Sequence, residues 1–230
     1  LFRSVDLTKS GSANAKGYVY LTDADKKLVH CLTVPPEYPD YNHMGGIQVV
    51  GNVLAVGCED TNAGSKGGSV VLFYDITDVR APRLLDSRIT RSNNNSTAGA
   101  VGLSVYENGW LAVVGNWDTQ RLDFYRMRDS NLLEGRWDEQ PFARWSKDTP
   151  LGGGSIDGSW SAYQNLNLFM DLQGTLWLIG MHSTTVGNED WADLYKVKLT
   201  AKPSSSGSIT HEVTLVKKAK KHFYRNGEGP

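Results

Sequence analysis

Apolar residues in this chain come in short runs, and Gly, Asn and Asp punctuate them; no stretch keeps helical spacing for long. That pattern predicts an all-β protein of short strands joined by turns. The runs also repeat. His43–Val50 (HMGGIQVV), Thr97–Ser104 (TAGAVGLS) and Ala162–Phe169 (AYQNLNLF) align as first strands. The turns Gly51-Asn52, Glu107-Asn108-Gly109 and Leu172-Gln173-Gly174 follow them. Each turn leads into a second apolar run that ends in glycine: Val53–Gly57, Trp110–Gly115 and Thr175–Gly180. Third runs follow at Val71–Asp75, Leu122–Arg126 and Ala192–Lys196, with Tyr74, Tyr125 and Tyr195 at matching positions. Fourth runs such as Arg83–Ile89 and His211–Val216 close the units.

Four strands recurring every ~40–70 residues is the spacing of β-propeller blades, each of which buries its faces only against neighbours. The expected fold is therefore a propeller of four-stranded antiparallel blades, about 4–5 in number. A β-sandwich with accidental repeats is the competing reading. Gly17–Leu21 and Lys27–Leu32 read as the late strands of a partial blade over residues 1–40, with Tyr20 as its marker tyrosine. Blades are expected over about 41–92, 93–150 and 160–217, and 218–230 reads as the start of a further one. On that reading the ring is incomplete, and the chain is part of something longer or of a larger assembly.

The segment Leu72–Leu85 (LFYDITDVRAPRLL) resembles the LVIVD-type propeller repeat: an apolar strand, Asp-Ile-Thr-Asp, a proline and a second apolar strand. The longer pattern is similar to a group of secreted bacterial propeller proteins, through His43-x-Gly-Gly-Ile-Gln48, Ala98–Leu103, Tyr163-Gln-x-Leu-Asn167 and Asp193-Leu-Tyr195. Only one unit carries the Asp-Ile-Thr-Asp form; the others read Tyr125–Asp129 (YRMRD) and Tyr195–Leu199 (YKVKL). The resemblance implies an extracellular or cell-envelope location and brings no active site with it.

Composition narrows the partners. The 230 residues carry a formal net charge of −1, which excludes a strongly basic nucleic-acid binder. No apolar run approaches the ~18 residues of a membrane span. Cys31 and Cys58 are compatible with one disulfide or two free thiols. Asn94 and Asn95 open overlapping glycosylation triplets.

In a blade the start of the first strand and the end of the second share one face, and loops on a rigid scaffold are where function gathers. His43, Arg91, Thr97 and Tyr163 belong there, with Glu59-Asp60, Asn116-Trp117-Asp118 and Met181-His182-Ser183. The loops Asp60–Gly68 and Ser183–Asp190 are long. His43, Glu59, Asp60, Asp118 and His182 have the chemistry to hold a divalent cation such as calcium, or to do acid–base work, and equally make a plain polar rim. No cofactor is predicted, and no zinc-ligand spacing occurs. If the protein is a hydrolase or lyase, Glu59, Asp118 and His182 are its catalytic candidates. Trp117, flanked by Asn116 and Asp118, has the flat apolar surface that stacks on a sugar ring, or else packs between blades, and Gln164 is a further ligand-binding candidate. Gln48, Gly102 and Asn167 share one position on the innermost strand, suited to water or a small ligand. Gly152–Ser155 lacks a phosphate-loop lysine and reads as a flexible loop, and Lys217–Lys221 reads as a solvated edge. The leading expectation is a binding module for a glycan or protein; an enzyme and a structural piece of a larger assembly are the alternatives.

Overall fold

The computed structural model describes residues 2–6, 17–60, 68–92, 96–183, 189–203 and 209–224. Among them the fold is all-β, with fifteen strands and no α-helix. The asparagine triplets and most of both long loops fall outside the described residues.

The strands follow the chain as antiparallel meanders. The first contains β1 (Phe2–Asp6), β2 (Gly17–Thr22) and β3 (Leu28–Thr33). The second contains β4 (His43–Val50), β5 (Val53–Glu59), β6 (Ser69–Asp75) and β7 (Arg83–Arg91). The third contains β8 (Ala100–Tyr106), β9 (Gly109–Gly115), β10 (Arg121–Met127) and β11 (Ala143–Ser146). The fourth contains β12 (Asn165–Met170), β13 (Leu176–Ser183), β14 (Glu189–Pro203) and β15 (Ile209–Tyr224). A short parallel pairing of Ala143 and Arg144 with His211 and Glu212 joins β11 to β15. The last two meanders thereby merge into one eight-stranded sheet, which nearly closes because its end strands β8 and β12 lie against each other.

Ladder register shows how far the units repeat. Gln48, Gly102 and Asn167 lie opposite Ala55, Val113 and Ile179, which in turn lie opposite Phe73, Phe124 and Leu194. One residue earlier on the second strands, Leu54, Ala112 and Leu178 lie opposite Tyr74, Tyr125 and Tyr195. The tyrosines are therefore in matched positions, and all three are buried. The terminal glycines are not: Gly57 and Gly115 lie two residues past Ala55 and Val113, whereas Gly180 lies one past Ile179. Gly180 answers to a local need, since a Cβ there would stand 2.6 Å from the Tyr163 ring.

Alternation along each strand gives every meander two apolar faces. Val19, Leu21 and Leu32 pack on Leu54, Val56, Leu72 and Tyr74. Val53, Ala55, Val71 and Phe73 pack on Leu103, Ala112, Tyr125 and Met127. Leu111, Val113, Leu122 and Phe124 pack on Leu166, Leu178, Tyr195 and Val197. The tyrosine-bearing face of each meander thus meets the meander before it, and the Phe73/Phe124 face meets the meander after it. The next such face, on the fourth meander, is less covered: Trp177, Ile179 and Leu194 are half-buried, while Phe169 and Met181 are exposed.

Three sequence expectations need correction. Residues 218–224 do not begin a new unit; they continue β15, because β14 starts at Glu189 and its first half pairs with them. Lys217 is not on a solvated edge but is fully buried, at 0% exposure. A register shift in the β14–β15 ladder accompanies this, with Leu194 opposite Ala219 and Tyr195 opposite Lys217. Gly152 is also tied down, its N–H donating to the Leu215 carbonyl at 2.8 Å. Both cysteines are free thiols, Cys58 buried and Cys31 half-buried. Among the described residues no helix is long and apolar enough to cross a membrane.

Candidate functional site

Gln48 does not line an open channel. Its amide nitrogen donates to the carbonyls of Leu103 and Leu168 at 2.8 Å each. Its oxygen accepts from the same two residues' N–H groups at 2.7 and 2.9 Å. One side chain of β4 therefore bridges β8 and β12 in place of a ladder, with all its hydrogen-bonding capacity engaged. Gly102 permits the approach, since a Cβ there would lie 3.0 Å from Leu168. Asn167, at the equivalent position, is half-buried.

At the start of β4 and end of β5, His43 Nδ1 meets Glu59 Oε1 at 3.0 Å. The other Glu59 oxygen accepts the Ala98 N–H at 2.6 Å, tying the second meander to the third. Glu59 is buried, and Asp60 beside it is half-buried.

Beyond β9 the chain makes a 3-10 turn, Trp117–Thr119, in which Asp118 and Thr119 take left-handed φ values of 51° and 48°. Non-glycine residues hold that conformation only when their surroundings enforce it. Here the Asn116 side chain accepts the Arg121 N–H at 2.6 Å, and the Thr119 N–H donates to the Asn116 carbonyl at 2.6 Å. The Thr119 hydroxyl accepts the Tyr163 N–H at 2.9 Å, and its carbonyl accepts the Trp160 indole N–H at 3.0 Å. This braced turn presents Trp117 at 56% exposure. Asp118 accepts from the Gln164 amide at 3.3 Å, so Trp117, Asp118 and Gln164 form one exposed patch from two meanders.

Tyr163 and Arg91 do not join that surface. The Tyr163 hydroxyl donates to Asp193 Oδ2 at 2.5 Å and also meets the Tyr195 hydroxyl at 2.5 Å. Burial pushes both phenols above their ordinary titration range, so they stay protonated. The Lys217 ammonium sits 3.1 Å from Asp193 Oδ2 and 3.0 Å from Asp157, and donates to the Ser159 hydroxyl at 2.9 Å. The Ser159 hydroxyl and then Lys217 lower the Asp157 carboxyl to about 2. Arg91 ends β7 and points into the third meander, donating to the Thr97 carbonyl and to Asp123.

His182 stands at the rim of the fourth meander, its ring 5.6 Å from that of Tyr163. Its Nε2 is buried without a partner, and burial lowers its pKa below the usual histidine value. Across the sheet His182 lies opposite Trp191, and Trp191 opposite His222. The last two rings stack at 4.4 Å, with the Lys220 ammonium 4.5 Å over the indole.

Glu59 is engaged by His43 and Ala98, Asp118 by Gln164, and no hydrogen bond or ion pair links Glu59, Asp118 and His182 to one another. Among the described residues no three His, Cys, Asp or Glu side chains come together as a metal site. Sequence reasoning missed the buried acids Asp123 and Asp193. Each stands two residues before its unit's marker tyrosine, and that recurrence is the signal that would have found them. Compared with protein-family models and with curated proteins, the chain matches none.

Proposed function

We propose that the chain is a β-propeller, with its meanders as blades, that works outside the cell or in its envelope as a carbohydrate-binding module. The repeat's likeness to the LVIVD type supports the propeller and its location. The observation that carries the binding reading is Trp117: a large aromatic ring, 56% exposed, on a turn held by four hydrogen bonds and flanked by Asp118 and Gln164. A flat apolar ring fixed beside hydrogen-bonding groups is what a pyranose needs for stacking and hydroxyl recognition. The test is a glycan array with the intact protein and its Trp117→Ala variant. Binding that falls at least tenfold in the variant supports the reading; unchanged binding, or none by either protein, sinks it.

A second reading, a component of a larger assembly, is favoured by the fourth meander's less-covered face. Met181 and Phe169 are 42% and 38% exposed on it. The equivalent faces of the second and third meanders lie under the next meander. An added sheet, supplied by another chain, would cover this face in the same way. The hydrolase reading lacks such support, because Glu59 is engaged by His43 and by the Ala98 N–H that ties two meanders together.

A further inference from the structure

Asp123 and Asp193 occupy one repeat position, yet their surroundings differ. Asp193 is met by one lysine and two tyrosines, with Asp157 as a second acid. Asp123 draws three guanidiniums: Arg91 from β7, Arg121 at 3.0 Å, and Arg144 at 3.1 Å. Its Oδ2 takes Arg91 and Arg121, and its Oδ1 takes Arg144 Nε. One carboxylate cannot engage all their donors. Arg91 Nε is left buried without a partner, although that side chain is only 1% exposed.

Asp123, Arg91 and Arg144 border a small open cavity of ≈ 20 Å³ between β7 and β10–β11, with Arg121 on the same carboxylate outside its wall. Ser92, Ser96, Tyr125 and Gln140 add polar atoms to its wall, and Glu139 contributes the one further carboxylate. The wall itself balances two arginines against Asp123 and Glu139, and Arg121, held on Asp123 behind it, brings the cluster to one positive charge in excess. Arg144, which meets Asp123 through Nε, also lines the cavity and has its side chain 56% exposed. Arg121 couples this cavity to the aromatic patch, since its own N–H is the one held by Asn116, next to Trp117.

We propose that this cavity is an oxyanion subsite, taking the carboxylate or sulfate ester of an acidic sugar. The sugar part of the inference rests on the carbohydrate reading above; the oxyanion part does not. Guanidinium forks match the planar oxygens of such groups, and a site with unsatisfied buried donors gains by receiving them.

The experiment is calorimetric titration of the intact protein, at constant ionic strength, with glucuronate, glucose, acetate and inorganic sulfate. Glucuronate is expected to bind at least tenfold more tightly than glucose. Arg144→Gln should weaken it at least tenfold with no change in thermal midpoint, because that side chain is mostly outside the core. Glu139→Gln should tighten it several-fold by removing the opposing charge. Glucuronate binding above acetate supports a sugar-borne group. Sulfate and acetate binding that Arg144→Gln abolishes, with no gain for glucuronate, overturns the sugar and keeps the oxyanion. Glucuronate no tighter than glucose, with no sulfate or acetate binding, overturns the subsite even where neutral glycans still bind through Trp117.

Discussion

The side-chain amide of Gln48 and the peptide of Leu168, 120 residues later, exchange two hydrogen bonds, at 2.8 and 2.9 Å. The same amide does this with Leu103. Three inner strands from three meanders are thus fixed by one residue. Gln48→Leu keeps the volume but strands four buried backbone groups. Each such loss costs ~1–3 kcal/mol, although relaxation and water recover part. The expected destabilisation is about 3 kcal/mol or more, read by urea denaturation. A variant within 1 kcal/mol of the parent would mean that β8 and β12 close without the bridge.

Lys217 gives a second prediction. Its ammonium and the Asp193 carboxylate are both at 0% exposure, 3.1 Å apart. Removing one partner of a buried pair leaves the other charge uncompensated, which costs ~3–5 kcal/mol. Lys217→Met is expected to fall in that range in chemical denaturation. The double variant Lys217→Met/Asp193→Asn should recover part of the loss, since Asn keeps a hydrogen bond for Tyr163 and carries no charge. A double variant weaker than the single would contradict a charge-based cause.

His182 sets a pH dependence. Burial lowers its folded-state pKa below the unfolded value of ~6.5. The unfolded chain therefore takes up this proton first on acidification. Its contribution to stability is fully present above ~6.5 and is lost as pH falls through the lower folded value. The parent should lose more stability between pH 7.5 and pH 5 than His182→Gln, in parallel urea titrations. Curves with equal slopes would assign the acid sensitivity to other groups.

Much of the strand order was legible because turns and apolar runs repeat in the same sequence. Tyr74, Tyr125 and Tyr195 fall on matched ladder positions, as their local contexts suggest. What stayed hidden was where polar side chains point. Arg91 and Tyr163 sit where rim residues should, yet each turns inward to a buried carboxylate that lies more than 25 residues away. Lys217 looks like its neighbours Lys218 and Lys220, yet it continues the inward face of Val213 and Leu215, opposite Tyr195, and the register shift falls only beyond it. The place of Trp117 on a turn was legible, but its exposure was not, because a ring there could as well pack between meanders.

The matched ladder registers also allow one substitution to be made twice in comparable places. Val113 and Ile179 occupy the same ladder position in successive meanders, opposite Phe124 and Leu194. Val113 is fully buried beneath the fourth meander, whereas Ile179 lies half-buried on the less-covered face. Val113→Lys must bury an ammonium with no acid beside it in the apolar cluster that surrounds Val113. That cost is several kcal/mol, at the extreme end for single substitutions. Ile179→Lys can lead its charge to water along its own stem, so about 1 kcal/mol is expected. Denaturation midpoints of the two variants measure the difference directly. If Ile179→Lys proves as damaging as Val113→Lys in the isolated chain, something covers that face, and a change in its association state would show that the cover is another chain.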